Sequence, residues 1–151
     1  MLKFIVTKEL GRLARWLRML GFDTVYYNSG AQGTLVVKAL SESRVVVTRS
    51  KKTTDSIDKI TVVINSNKLK EQLKELIDKL HLSFDDSKMF TRCTVCNERL
   101  ESVEKKRVKG NVPEYVFNTH NEFMMCPSCG KVYWQGTHWG NIHNTLNKIL
   151  C

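Results

Sequence analysis

Apolar and polar positions along this chain switch between two periods. Residues 2–6 (LKFIV) make a short apolar run that fits a buried strand. Leu10, Leu13, Ala14, Leu17 and Leu20 then recur at helical spacing and gather on one side of a cylinder. Arg12, Arg15 and Arg18 fall on the other side, and Gly21 stands where a helix C-cap is expected. DTVYY (23–27) resumes as a strand, and after a break at 28–33 TLVVKAL reads as a short helix. RVVVT (44–48) is the clearest buried strand, SKKTTDSIDK reads as a polar loop, and ITVVI (60–64) is a fourth strand. Leu69, Leu73, Leu76, Ile77 and Leu80 predict another amphipathic helix, which Ser66 or Asn67 is placed to cap.

Strands alternating with helices imply an α/β fold in which helices flank a parallel sheet on both faces through right-handed crossovers. DDSKMF (85–90) changes the composition and reads as a linker, so the expected division is 1–84 for the α/β domain and 85–151 for a second domain. In that second part YVF and KVYW suggest hairpins, and Ile142, Leu146, Ile149 and Leu150 predict a closing helix.

Charge changes the picture next. The 151 residues carry a formal charge of +9, a field that attracts polyanions whatever the fold. Nucleic acid is the first partner to consider, with a merely solvated basic surface as the plain alternative. The short apolar start is interrupted by Lys8 and Glu9, which fits neither a signal peptide nor a membrane span, and no stretch approaches roughly 18 uncharged apolar residues. A cytoplasmic location without membrane attachment is expected, where cysteines are read as metal ligands or redox groups rather than disulfides.

Cys93-x-x-Cys96 and Cys126-x-x-Cys129 are two such pairs, set in the knuckle-like contexts CTVCN and CPSCGK. Four thiolates make the closed tetrahedral site of a structural zinc ribbon, with no position open to substrate. A dithiol redox pair and an iron–sulfur centre are the alternatives. Residues 97–125 separate the pairs, so a long hairpin or inserted loop is expected there. Cys151 is left over with no role, and His120, His138 and His143 are read as surface or hydrogen-bonded residues.

LGRLARWLRMLGFDTVYY (10–27), RVVVTR (44–49), FTRCTVCN (90–97), VPEYVF (112–117) and FMMCPSCGKVYWQGTHW (123–139) together resemble the C-terminal ribonuclease domain of the mutator-seven exonuclease family. The resemblance runs nearly end to end and implies a PIN-like α/β domain followed by a zinc ribbon. It also implies RNA cleavage by carboxylates that gather Mg²⁺ or Mn²⁺ to activate a water and stabilise the departing oxygen. In that family the first aspartate closes the first strand, a further acidic cluster starts the second helix, and the last acid follows the TR of the third strand. Here those places hold Thr7, the acid-free segment NSGAQGT (28–34) and Ser50. Glu9 is the nearest substitute, Asp55 and Asp58 lie in a later loop, and Asp23 is read as a hydrogen-bonding turn residue.

With the carboxylates gone, a cleft rimmed by Lys8, Arg49, Lys51 and Lys52 is cationic, and Thr7, Ser50 and Thr53 offer hydroxyls to phosphate oxygens. Arg12, Arg15 and Arg18 form a candidate phosphate track. Tyr133, Trp134 and Trp139 can stack on unpaired bases or pack between ribbon and sheet, Trp134 being expected to pack there, and Trp16 is read as a border or core residue. Three readings follow. The first is a non-catalytic RNA-binding protein on a degenerate PIN-like scaffold. The second is a ribonuclease with a rearranged acidic site that uses Mg²⁺ or Mn²⁺, and the third is a module that docks a protein partner.

Overall fold

The computed structural model describes residues 1–52 and 57–150, the side chains of 137–140 excepted. Thr53, Asp55 and Cys151, and the side chains of His138 and Trp139, therefore lie outside the described residues. The chain forms two compact units, Met1–Asn97 and Glu98–Cys151, so the first cysteine knuckle belongs with the parallel sheet. No helix among the described residues is long and apolar enough to cross a membrane.

In the first unit β1 (Phe4–Thr7), β2 (Thr24–Tyr27), β3 (Val45–Thr48) and β4 (Thr61–Val63) form a parallel sheet in the order β2-β1-β3-β4. Helices α1 (Gly11–Met19), α2 (Gln32–Ser41) and α3 (Leu69–Leu80) connect or follow these strands. Alternation along the strands divides the core. Ile5 and Val46 join Leu35, Ala39 and Ile57 in one buried cluster, while Phe4, Val6 and Val47 take the opposite parity and are also buried. On α1, Leu13, Ala14 and Leu17 are buried, and the helix packs against β1, β2 and α3.

Gly21 ends α1 in the left-handed region (φ 94°), where its N–H donates to the Arg18 carbonyl and that of Phe22 donates to the Leu17 carbonyl. A side chain at Gly21 would also put its Cβ 2.4 Å from the Lys88 carbonyl oxygen, so both conformation and space demand glycine. The segment at 85–90 is correspondingly tied down: Met89 is buried and the Phe90 N–H donates to the Met19 carbonyl at 2.8 Å.

Three sequence expectations need correction. Arg18 does not share the solvent with Arg12 and Arg15; it is only 8% exposed because the helix turns it under the first knuckle, where carbonyls receive its guanidinium. Neither Ser66 nor Asn67 caps α3. Lys68 is the N-cap residue and makes no side-chain bond, while Glu75 reaches back to accept from the N–H groups of Asn65 and Ser66 and from the Ser66 hydroxyl. The YVF run is helix rather than hairpin, because Pro113 starts a turn that buries Val116 on the side it shares with Val112.

That helix, α4 (Glu114–Thr119), lies in the excursion between β5 (Glu101–Val103) and β6 (Phe123–Met125). These strands pair antiparallel, β7 (Val132–Tyr133) adds to β6, and α5 (Thr137–Leu150) closes the second unit. Its core is Val108, Val112, Val116 and Phe123, with Trp134 packed against it. His120 bridges the Val116 and Gln135 carbonyls, the hydrogen-bonding role expected of it.

Two glycines test this packing with opposite signs. Gly21→Ala should lower stability by more than about 1 kcal/mol, whereas Gly33→Ala, on an open part of α2 with nothing within 4 Å, should raise it by roughly 0.5 kcal/mol. Urea midpoints decide both.

Burial pushes the Glu75 carboxyl up, but bonds from the Ser66 hydroxyl, the N–H groups of Asn65 and Ser66, and Lys79 outweigh it and hold the pKa at about 2. The unfolded chain takes up the proton first, so this contribution is present above the ordinary value of 4.5 and is lost as pH falls through about 2. The stability gap between wild type and Glu75→Gln should be constant at neutral pH and close across that window in acid urea titrations.

Candidate functional site

Parallel strands deliver their last residues to one edge of a sheet, and in the order β2-β1-β3-β4 the connections leave β1 and β3 in opposite directions. Thr7 closes β1 and Thr48 closes β3, on neighbouring strands whose preceding residues, Val6 and Val47, are directly paired. Between and beyond them lies a pocket of about 40 Å³ lined by Thr7, Gln32, Thr48, Ser50 and Lys52, among others. Thr7 and Ser50, the residues at two of the places where the resemblance expects acids, are thus brought together. Gln32, at the start of α2, stands in the third such region and supplies a neutral amide.

Among the described residues, one carboxylate is hydrogen-bonded to this edge. Glu9, on a short 3-10 turn after β1, accepts through Oε1 from the Thr7 hydroxyl (2.6 Å), the Thr48 hydroxyl (3.1 Å) and the Arg49 N–H (3.0 Å). Burial raises its pKa, yet these bonds outweigh that effect and leave the carboxyl below its ordinary range. Glu9 is therefore an ionised group held in place. Ser50 is engaged as well, its N–H donating to the Thr48 hydroxyl and its own hydroxyl accepting from the Lys52 N–H.

Arg49, Lys51 and Lys52 are exposed just past β3, and Lys8 is exposed just past β1. Arg12 and Arg15 do not join this edge. They line a separate pocket of about 380 Å³ with Tyr26, Thr94 and Val95. Sequence reasoning missed Thr48, although FIVT and VVVT end alike and signal it; nothing local marks Gln32 or Tyr26.

The cysteines form the second constellation. In the first unit the Cys96 N–H points at the Cys93 thiol (3.4 Å) and the Asn97 N–H donates to the Cys93 carbonyl, with Asn97 in the left-handed region (φ 67°). In the second unit the Cys129 N–H points at the Cys126 thiol (3.5 Å), and Gly130 (φ 75°) repeats the turn. The thiols of Cys93, Cys96, Cys126 and Cys129 all lie within 4.8 Å of one another. A tetrahedral site with metal–sulfur bonds of about 2.3 Å needs sulfurs roughly 3.8 Å apart, so these residues are positioned to hold one ion. Among the described residues, no second group of three or more histidines, cysteines or acids is positioned to hold a metal.

Arg18 fixes the first knuckle from behind. Its Nη1 donates to the carbonyls of Thr94 (2.9 Å) and Val95 (3.1 Å), and its Nε to that of Thr24 (2.9 Å). Asn97 donates to Asp23 (2.7 Å) and accepts from the Thr24 N–H, while Asp23 pairs with the buried Arg44 at 2.9 Å. Burial raises the Asp23 pKa, but bonds from Arg44 and Asn97 and the nearby positive charge bring it below the ordinary value.

Comparison with protein-family models matched the Mut7-C RNAse domain over residues 2–146. Searches of curated proteins and of solved structures found no match.

The cysteine geometry predicts one bound ion per chain. Elemental analysis of protein purified without added metal should find close to one equivalent, and Cys126→Ser should reduce it several-fold by opening the tetrahedral shell.

Proposed function

The chain belongs to the Mut7-C RNAse domain family, and we propose that it binds RNA on that scaffold without cleaving it, with zinc as the ion of the four-cysteine site. The observation that carries this reading is the pocket at the sheet edge. All three regions where the resemblance places acids meet there as Thr7, Gln32 and Ser50, beside Lys52. Neutral oxygens and an ammonium group do not neutralise a divalent ion, and poorly compensated Mg²⁺ keeps its water shell. The same set suits phosphate oxygens, with Arg49, Lys51, Lys52 and Lys8 supplying positive charge at the rim.

Zinc follows from the donors. Four thiolates in two N–H-lined knuckles satisfy it without water, so its role is structural and it stays apart from any chemistry on RNA.

Glu9 favours a second reading, a metal-dependent ribonuclease with a rearranged site. Its carboxylate does reach the edge, bonded to Thr7 and Thr48. Among the described residues Glu9 stands without a second carboxylate bonded at this edge, and a single carboxylate already occupied by three donors is a weak ligand set for one or two Mg²⁺ or Mn²⁺ ions, so the non-catalytic reading is preferred.

Single-stranded RNA should bind with an affinity that falls steeply with salt, by a log–log slope of about −0.7 per phosphate contacted. Reversing Lys51 and Lys52 should weaken all sequences alike. RNA should survive incubation with Mg²⁺ or Mn²⁺; cleavage abolished by Glu9→Gln would establish the second reading, and salt-insensitive or absent binding would leave a protein partner as the better one. The triple change Thr7→Asp, Gln32→Asp, Ser50→Asp should restore measurable metal-dependent cleavage.

A further inference from the structure

We propose that the pocket between α1 and the first knuckle is a nucleotide subsite for single-stranded RNA, in which Arg12 and Arg15 hold phosphate while Tyr26 and Val95 hold a base. The inference deepens the RNA reading and rests on it. The pocket lies wholly within the first unit, and its volume of about 380 Å³ is in the range of small-ligand sites.

Charge is the first argument. Arg12, Arg15 and Arg18 all line the pocket, and no Asp or Glu among its described lining residues offsets them. Arg18 is buried and committed to three carbonyls, but Arg12 and Arg15 are exposed and make no ion pair or hydrogen bond among the described residues. On the other two helices of the unit several lysines are paired one turn away: Lys38 of α2 with Glu42 just past its end, and Lys74 with Asp78 and Lys79 with Glu75 on α3. Helix α1 contains no acid at all. Two unpaired forks beside a third cation present a field that an external anion relieves, and guanidinium geometry suits the paired oxygens of a phosphate.

The apolar walls are the second argument. Val95, at the tip of CTVC, is 54% exposed although it sits beside cations. Tyr26 is half-buried and fixed at its far end, where the hydroxyl donates to the Lys8 carbonyl at 2.6 Å. Gly11 makes room for it, since a Cβ there would lie 3.1 Å from the tyrosine oxygen. A rigid aromatic ring and an exposed aliphatic tip flanking phosphate-seeking groups match the two faces that an unpaired base presents with its phosphate.

The test uses the full-length, metal-loaded chain and a fluorescent single-stranded 12-mer RNA, with duplex RNA and a free mononucleotide as competitors. Arg12→Gln with Arg15→Gln should lower affinity about tenfold and reduce the salt slope by about 0.7 per arginine. Val95→Asp should weaken the single strand by a similar factor while leaving metal content unchanged; if it alters metal content, the arginine pair decides. Near-ultraviolet crosslinking of a 5-iodouridine oligonucleotide should mark Tyr26, and duplex RNA should compete poorly. If these variants bind like wild type while Lys51 and Lys52 reversal weakens binding, the subsite is refuted and the RNA reading stands. If no RNA binds to the wild type, both fall.

Discussion

A buried guanidinium organises the first unit. A cysteine knuckle bends its backbone so sharply that the carbonyls of Thr94 and Val95 turn away from any ladder, and buried carbonyls without donors are costly. Arg18 meets both and adds Thr24, so one side chain of α1 joins the knuckle to the first residue of β2. Bonds from a charged donor are each worth about 1.5–3 kcal/mol, more than a neutral pair supplies. Asn97 continues the connection through Asp23 to Arg44, which donates to the Phe4 carbonyl at the start of β1. The positions of Cys93 and Cys96 are therefore set by the parallel sheet, and the metal ligands inherit its rigidity.

The sheet edge obeys a different electrostatic logic. Glu9 brings one negative charge into a rim of cations and occupies the hydroxyls of Thr7 and Thr48 with it. Its Oε1 is thereby tied to the ends of β1 and β3, while Lys8, Lys51 and Lys52 are exposed around it. On the proposed RNA-binding reading, phosphate contacts fall to this cationic stretch, where Arg49 and Lys52 stand close together in the chain. A nuclease needs the reverse arrangement, with concentrated negative charge at the floor to draw in metal.

Most of the scaffold was legible in the sequence, because a parallel sheet writes itself as apolar runs such as RVVVT and its helices as leucines at helical spacing. The cysteine cluster was legible for a chemical reason, since two matched C-x-x-C turns have few other uses. What failed to show was tertiary. Arg18 has the helical phase of a border residue, and only the returning chain at residues 94 and 95 buries it. The start of α3 offers Ser66 and Asn67 as caps, but Glu75, nine residues beyond Ser66, takes their place. Gln32 belongs to the sheet-edge pocket only because parallel topology brings the start of α2 beside the ends of β1 and β3.

The bond from the Thr24 N–H to the Asn97 side chain also has a protective meaning. Strand β2 is an edge of the sheet, and an edge with unmet backbone groups recruits strands from other molecules. Asn97 covers that edge at its first residue, and it is held there by the knuckle turn that presents Cys93 and Cys96. One turn thus serves both the edge of the sheet and the first pair of cysteines, so a change that reshapes it reaches both at once.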